Sequence, residues 1–292
     1  MTKVIAIVGP TAVGKTALGI KLAREFDGEI ISGDSQQVYR GLDIGTAKAT
    51  AAEQAAAVHH LIDTRALTEN FSAHDFVLEA NETIKKLSAD GKVPIIVGGT
   101  GLYIQALIEG YHLGGEKYHA EMQQLRDELS LLTDAELYQL VADRGLEIPE
   151  INRRRAIRAL ELAAFPTDRK NQASSDEFLL IGLTAPRELL YARINARVDK
   201  MMTDGLLAEA TMLYETAHDV QAAKGIGYKE FFPYLAGELS LNEAIEKVKQ
   251  NSRHYAKRQL TWFRNRMAVD FVDTSGQDWE ESVIMQVRKF LE

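Results

Sequence analysis

The chain contains no cysteine, which excludes disulfides and thiolate zinc sites and suits a reducing cytoplasm. It has no run of 18 apolar residues, so no segment reads as a membrane span and no membrane partner is expected. The amino-terminal segment lacks a basic leader and a cleavage site, so Lys3–Val8 reads as a core strand instead of a signal peptide. There is no internal repeat and no low-complexity tract. His59 and His60 have no further His or Cys at metal-ligand spacing, and the pair reads as structural.

What is present is an ordinary globular composition. Of 292 residues, 46% are apolar and 26% charged, enough for one large domain or two modest ones. The net charge of −8 argues mildly against a nucleic-acid partner, but its distribution matters more than its sum. Lys247–Arg266 holds seven lysines or arginines and no acid, and Asn152–Arg158 packs four arginines into seven residues. Acidic residues crowd elsewhere, for example in 121–150, so an acidic chain can still carry a basic face.

The most informative segment is Gly9-Pro10-Thr11-Ala12-Val13-Gly14-Lys15-Thr16, which follows the apolar run 3–8 and opens an amphipathic stretch through Leu18, Leu22 and Phe26. Its spacing is that of a P-loop. Glycines let backbone N–H groups turn inward on an anion, and the following helix adds its positive end. Lys15 supplies a fixed charge, and the Thr16 hydroxyl can bind Mg²⁺. The loop predicts a di- or triphosphate ligand without saying which.

Strand-like runs at 3–8, 29–32 and 93–97 alternate with helical patterns at 15–25 and 72–90. This predicts an α/β fold, a P-loop-type parallel sheet flanked by helices with ligands at the carboxyl ends of its strands. A final strand is expected at 178–183, then helices at 187–202, 205–217, 242–267 and 279–291. Between them the pattern changes. Leu125, Leu129, Leu132, Leu137 and Leu140 recur among polar residues, predicting two short helices split at Leu132-Thr133-Asp134, with Thr133 or Asp134 as cap. We therefore expect a core domain of 1–113 and 177–292 and a mainly helical insertion at 114–176, with Pro166–Glu177 a mobile loop.

Asp34 follows the second strand, on the sheet edge that carries Lys15. It can hold Mg²⁺ through water, act as a general base, or cap a turn. Gly98-Gly99-Thr100-Gly101 ends the third strand on the same edge. Nucleotide-hydrolysing P-loop proteins place an acid on such a strand, and none is present here. The glycines permit close approach of a bulky partner or serve a helix-entry turn, and Thr100 offers a hydroxyl. Arg193 and Arg197 lie four apart, as phosphate forks or as a solvated face. Tyr255, Trp262 and Phe263 interleave with the carboxyl-terminal cations, as single-stranded RNA binding requires or as a core stripe would.

Taken together these segments resemble the bacterial tRNA dimethylallyltransferase (tRNA isopentenylpyrophosphate transferase) family over most of the chain. The P-loop alone is unspecific. The runs Asp34-Ser35-Gln36-Gln37-Val38-Tyr39-Arg40 and Ala256-Lys257-Arg258-Gln259-Leu260-Thr261-Trp262-Phe263 are highly specific. His59-His60-Leu61-Ile62-Asp63, Arg154-Arg155-Ala156-Ile157-Arg158 and Gly225-Ile226-Gly227-Tyr228-Lys229-Glu230 agree in order. Gln36 stands where many relatives carry Arg, Gly33 replaces a more usual Ala, and 165–177 follows no family pattern. Lacking cysteine, the chain has no zinc finger of the kind that eukaryotic relatives add.

The resemblance implies transfer of a dimethylallyl group from dimethylallyl diphosphate to N6 of adenosine 37 in the tRNA anticodon stem-loop, in a cytoplasmic and monomeric enzyme. It implies that Gly9, Pro10, Thr11, Ala12, Val13, Gly14, Lys15 and Thr16, with Arg193 and Arg197, hold the diphosphate, and that Thr16 carries Mg²⁺. Asp34 is the implied base, with Thr100 and Lys15 as catalytic partners. Asp34, Ser35, Gln36, Gln37, Thr100, Arg154, Arg155, Arg158, Arg253, Lys257, Arg258 and Trp262 are the implied tRNA contacts. The rival readings are a P-loop kinase of a small molecule, which has no need of the Trp/Arg-rich carboxyl-terminal helix, and an RNA-binding GTPase-like module, for which no Asn-Lys-x-Asp segment is present.

Overall fold

A computed structural model describes residues 1–111, 119–165, 171 and 174–292. The chain divides into two compact units, Met1–Gly110 with Ala173–Glu292, and Tyr111–Gln172.

The first unit opens with β1 (Lys3–Val8), α1 (Lys15–Glu25), β2 (Gly28–Gly33), α2 (Ala51–Ala56), β3 (His59–His60), α3 (Ala73–Ala89), β4 (Val93–Gly98) and α4 (Gly101–Glu109). The second unit supplies α5 (His119–Ser130), α6 (Asp134–Asp143) and α7 (Arg153–Ala164). The first then resumes with β5 (Glu177–Thr184), α8 (Arg187–Asp204), α9 (Leu206–Ala217), a short 3₁₀ turn at Ala222–Lys224, α10 (Phe232–Leu235), α11 (Leu241–Arg266), β6 (Asp270–Asp273) and α12 (Trp279–Leu291).

Among the described residues, six strands form one sheet in the order β3-β2-β4-β1-β5-β6. Every pairing is parallel. Because strand side chains alternate, β1 feeds two cores. Val4, Ala6 and Val8 join a cluster with α3, α4 and α9, while Ile5 and Ile7 join one with α1, α8 and α12. Burying each of these valine and isoleucine side chains is worth roughly 1.5–3 kcal/mol. Hydrophobic runs with little alternation are what a sheet covered on both faces demands.

The register brings the strand ends level. Val8 pairs with Gly98 and Gly182, and Gly98 pairs with Gly33. The segments that follow β1, β2 and β4 therefore leave from one edge: the P-loop, Asp34 and Gly99-Thr100.

Helix starts follow local chemistry. Ser72 with Asp75, Thr133 with Glu136 and Ser240 with Glu243 form reciprocal capping boxes. Thr133, not Asp134, is thus the cap of α6. The strand at 177–184 is not the last, because β6 adds an edge beyond it. Asp270–Asp273 is too short and too charged to stand out by pattern.

Among the described residues the second unit carries the two expected helices, α5 and α6, split at 131–133, and a third, α7, beyond them. Its small core is Leu129, Leu137, Val141, Ala156 and Leu160. Glu161 is fully buried in it and is held by Arg126 (2.6 and 3.0 Å) and Arg158 (3.1 Å). The loop expected at Pro166–Glu177 lies partly outside the described residues, at 166–170, 172 and 173.

Candidate active site

A cavity of about 370 Å³ opens at the carboxyl edge of the sheet, lined wholly by residues of the first unit. Thr11, Lys15 and Thr16 come from the P-loop, and Asp34 with Ser35, Gln36 and Gln37 from the segment after β2. Arg197 comes from α8, and Tyr255, Arg258 and Gln259 from α11.

Lys15 starts α1 and donates from Nζ to the Pro10 carbonyl at 2.7 Å. Burial is the main reason its pKa falls from the ordinary lysine value to about 7; the Arg197 charge lowers it further and Asp34 opposes both. Asp34 accepts the Gln36 N–H at 2.8 Å. Burial pushes its carboxyl above the usual range, against the pull of the Gln36 N–H, Lys15 and the Gln37 N–H. A carboxylate raised by desolvation is a stronger base than one in water, and a lysine depressed by burial recovers its charge when an anion arrives. Burial also lowers the Arg197 guanidinium.

Thr100 is the N-cap residue of α4, but its side chain makes no cap hydrogen bond. Its Oγ1 instead accepts the Ser35 N–H at 3.1 Å, fixing the residue beside Asp34. Tyr255 lies beside the side chains of Thr100 and Gln259, and burial raises its hydroxyl pKa.

The two α8 arginines part company. Arg197 reaches the P-loop, 3.3 Å from Thr11 Oγ1, and lines the cavity. Arg193 donates to Thr274 Oγ1 at 3.3 Å and is not among the lining residues. One helical turn along α8 is enough to carry a guanidinium from the loop to the strand beyond it.

Several residues assigned to tRNA by resemblance make hydrogen bonds to the protein itself. Gln37 uses both ends of its amide, accepting from Ser32 Oγ (2.9 Å) and donating to the Thr46 and Ala47 carbonyls (both 3.2 Å). Arg253 donates to Asn195 Oδ1 (2.7 Å) across α8 and α11. Arg155 closes the turn before α7 through the Pro149 and Glu150 carbonyls (both 2.8 Å), and Arg158 neutralises Glu161. Arg154 and Lys257 are exposed. Trp262 packs its indole on Gly101, and the Arg266 guanidinium lies 4.6 Å from the centre of its ring. The half-buried ring therefore meets its own chain at Gly101 and at Arg266.

The glycines after β4 have the same explanation. A Cβ on Gly99 would collide with the Gln259 amide, and one on Gly101 with the Trp262 indole. The bulky partner that they admit is α11 itself.

Sequence pattern gave no hint of Glu209. On α9, its carboxylate accepts the N–H groups of Asp43 (2.8 Å), Ile44 (3.0 Å) and Gly45 (2.9 Å) and the Tyr228 hydroxyl (2.6 Å). It thereby shapes the wall formed by Gly45, Thr46 and Ala47. Lys224 and Lys229, both exposed, also line the cavity. The signal for Lys229 lay in the 225–230 run, and that for Lys224 just before it, but neither gave any indication of side-chain direction.

A profile described as IPP transferase matches residues 37–266. The tRNA dimethylallyltransferase of Lactococcus lactis subsp. lactis (strain IL1403) is 65% identical over 99% of this chain and 98% of its own. The crystal structure of the tRNA delta(2)-isopentenylpyrophosphate transferase from Staphylococcus epidermidis is 40% identical over 99% of both chains, with a TM-score of 0.75. A eukaryotic dimethylallyltransferase solved acting on tRNA is 29% identical, with a TM-score of 0.81 over 98% of this chain and 78% of its own. Sheet order, site and whole-length similarity lead to one conclusion: the chain belongs to the IPP transferase family.

Proposed function

We propose that the protein transfers a dimethylallyl group from dimethylallyl diphosphate to N6 of adenosine 37 in the tRNA anticodon loop, releasing diphosphate. The observation that carries this reading is one cavity lined by the half-buried P-loop lysine, Lys15, and a half-buried carboxylate with a raised pKa, Asp34.

In the reaction the bond from the allylic carbon to the diphosphate oxygen breaks, the bond from that carbon to N6 forms, and an N6 proton leaves. The amine is a weak nucleophile because its lone pair is delocalised into the purine. Asp34 takes the proton, a contribution typically of 10²–10⁴-fold, or about 3–5 kcal/mol. Lys15, Arg197 and the P-loop hydroxyls Thr11 and Thr16 meet the charge that grows on the departing diphosphate. Among the described residues no group of three or more His, Asp or Glu could hold a metal unaided. Thr16 on the cavity wall fits the other mode of Mg²⁺ binding, in which a hydroxyl joins the oxygens of the phosphate ligand. Bound there, Mg²⁺ would supply further neutralisation of the leaving group.

The adenine must leave its stack, at a cost of a few kcal/mol. Exposed Arg154, Lys257, Arg258, Lys224 and Lys229 offset that cost through phosphate contacts. No helix among the described residues is long and apolar enough to cross a membrane. A monomeric enzyme acting in the cytoplasm is the setting that we infer.

The test is direct. Incubation with Mg²⁺, radiolabelled dimethylallyl diphosphate and unmodified tRNA should place label in the RNA, and replacing adenosine 37 by guanosine should abolish it. Consumption of ATP without any label in RNA would overturn the reading in favour of a small-molecule kinase.

A further inference from the structure

We propose that Gln259 is a positioning residue that sets the separation between the diphosphate cradle and the carboxylate base. The inference rests on the reading of the P-loop as the donor site. Gln259 sits on α11 and is 5% exposed. Its Oε1 accepts the Thr11 N–H at 2.9 Å, and its Nε2 donates to the Gly99 carbonyl at 3.0 Å. One amide therefore ties the loop after β1 to the loop after β4, and neither bond tolerates an exchange of donor and acceptor.

The tie continues toward the base. Gly99 is followed by Thr100, whose Oγ1 holds the Ser35 N–H, and Ser35 follows Asp34. Tyr255, one turn before Gln259, lies beside both Thr100 and Gln259. A connected path thus runs from the anion-binding loop through Gln259 to the residue beside Asp34. β1 and β2 are not neighbours in the sheet, since β4 lies between them. Cross-linking the loop of β1 to that of β4 is the short route by which the cradle can be held at a fixed distance from Asp34. Gly99 has no side chain because Gln259 occupies that space. Misplacement of reacting groups by about 1 Å costs on the order of 100-fold in rate.

The groups that face this position are Lys15, Asp34, Arg197, Arg258 and Tyr255. Lys15, lowered by burial, and Asp34, raised by it, shape the pH profile of the unaltered enzyme, so each variant is read as a ratio to that profile. Gln259→Glu keeps the acceptor for Thr11 but sets a carboxylate against the Gly99 carbonyl beside the cradle. Burial raises the pKa of that new carboxyl, and its protonated form regains the donor. Gln259→Met keeps the size and removes both bonds.

For Gln259→Glu, kcat/KM for dimethylallyl diphosphate should fall about 100-fold at pH 8 relative to wild type and recover about tenfold toward pH 6. For Gln259→Met, kcat should fall about 30-fold, with a constant ratio to wild type over the same range. In both, the Kd for tRNA should stay within about threefold of wild type. Should Gln259→Glu fail to fold on thermal melting, Gln259→Met decides alone. Activity of Gln259→Met within about threefold of wild type would overturn the proposal, as would a pH-independent ratio for a folded Gln259→Glu or a loss of tRNA binding equal to the loss of donor use. A wild-type protein that transfers no dimethylallyl group would instead sink the donor-site reading itself.

Discussion

Diphosphate binding should draw a proton onto Lys15. In the free protein burial holds its pKa at about 7. Negative oxygens placed beside the ammonium favour its charged form and return the pKa to at least the ordinary lysine value near 10.5. At pH 8 a group of pKa about 7 is only about one-tenth charged, so binding takes up about 0.9 proton; at pH 6 it takes up about 0.1. Above pH 7 this linkage weakens donor affinity by about tenfold, or about 1.4 kcal/mol, per pH unit. Isothermal titration of the donor in buffers of different ionisation enthalpy counts the protons. Lys15→Arg is the control: a guanidinium stays charged, so its own uptake is zero and only the titration of the ligand and other groups remains. The difference between the two proteins should be about 0.9 proton at pH 8 and about 0.1 at pH 6. A difference that is near zero at pH 8, or equal at the two pH values, would refute the claim that burial keeps this lysine largely neutral.

The same depressed pKa penalises the free fold at every pH below the unfolded lysine value, increasingly down to about pH 7 and constantly below it. Lys15→Met should therefore raise the melting temperature at pH 7 while abolishing donor use; a lower melting temperature would contradict the burial argument. Asp34→Asn should cut kcat about 100-fold or more while leaving the Kd for tRNA within about threefold, which stopped-flow turnover and filter binding can compare. Arg197→Ala should raise the KM for dimethylallyl diphosphate about tenfold more than Arg193→Ala does, since only Arg197 lines the cavity; steady-state kinetics that rank them the other way would reassign the fork. Gly101→Ala, which drives a methyl group into Trp262, should lower stability by about 1–3 kcal/mol in urea titrations, and unchanged unfolding would show that the contact is slack.

The parts of this molecule legible in its sequence are those written in short range. The P-loop, the first two strands, a cap at Thr133 or Asp134 and the long basic helix all declare themselves in local sequence. The parts that were not legible depend on partners far away. Gly99 and Gly101 read as clearance for an unnamed bulky partner or as a helix-entry turn because Gln259 and Trp262, which they accommodate, lie some 160 residues on. Arg193 and Arg197 share a helix and a chemistry, and only the position of the helix over the P-loop separates them. Gln37 looked available because nothing local shows that the Thr46 and Ala47 carbonyls turn back to claim it. The direction of the basic side chains was not legible either, since an arginine in a basic run is equally suited to a phosphate, a buried glutamate or a backbone carbonyl. Arg155 and Arg158 took the last two.

The outer strands of the sheet also have a consequence for colloidal behaviour. β3 is two residues long and β6 four, and β6 carries an aspartate at each end. Exposed margins of a sheet are templates on which a second chain can add a strand, and brevity and negative charge both blunt that tendency. The sheet that carries the reaction centre is therefore poorly suited to edge-to-edge aggregation, even though its inner strands are almost entirely aliphatic.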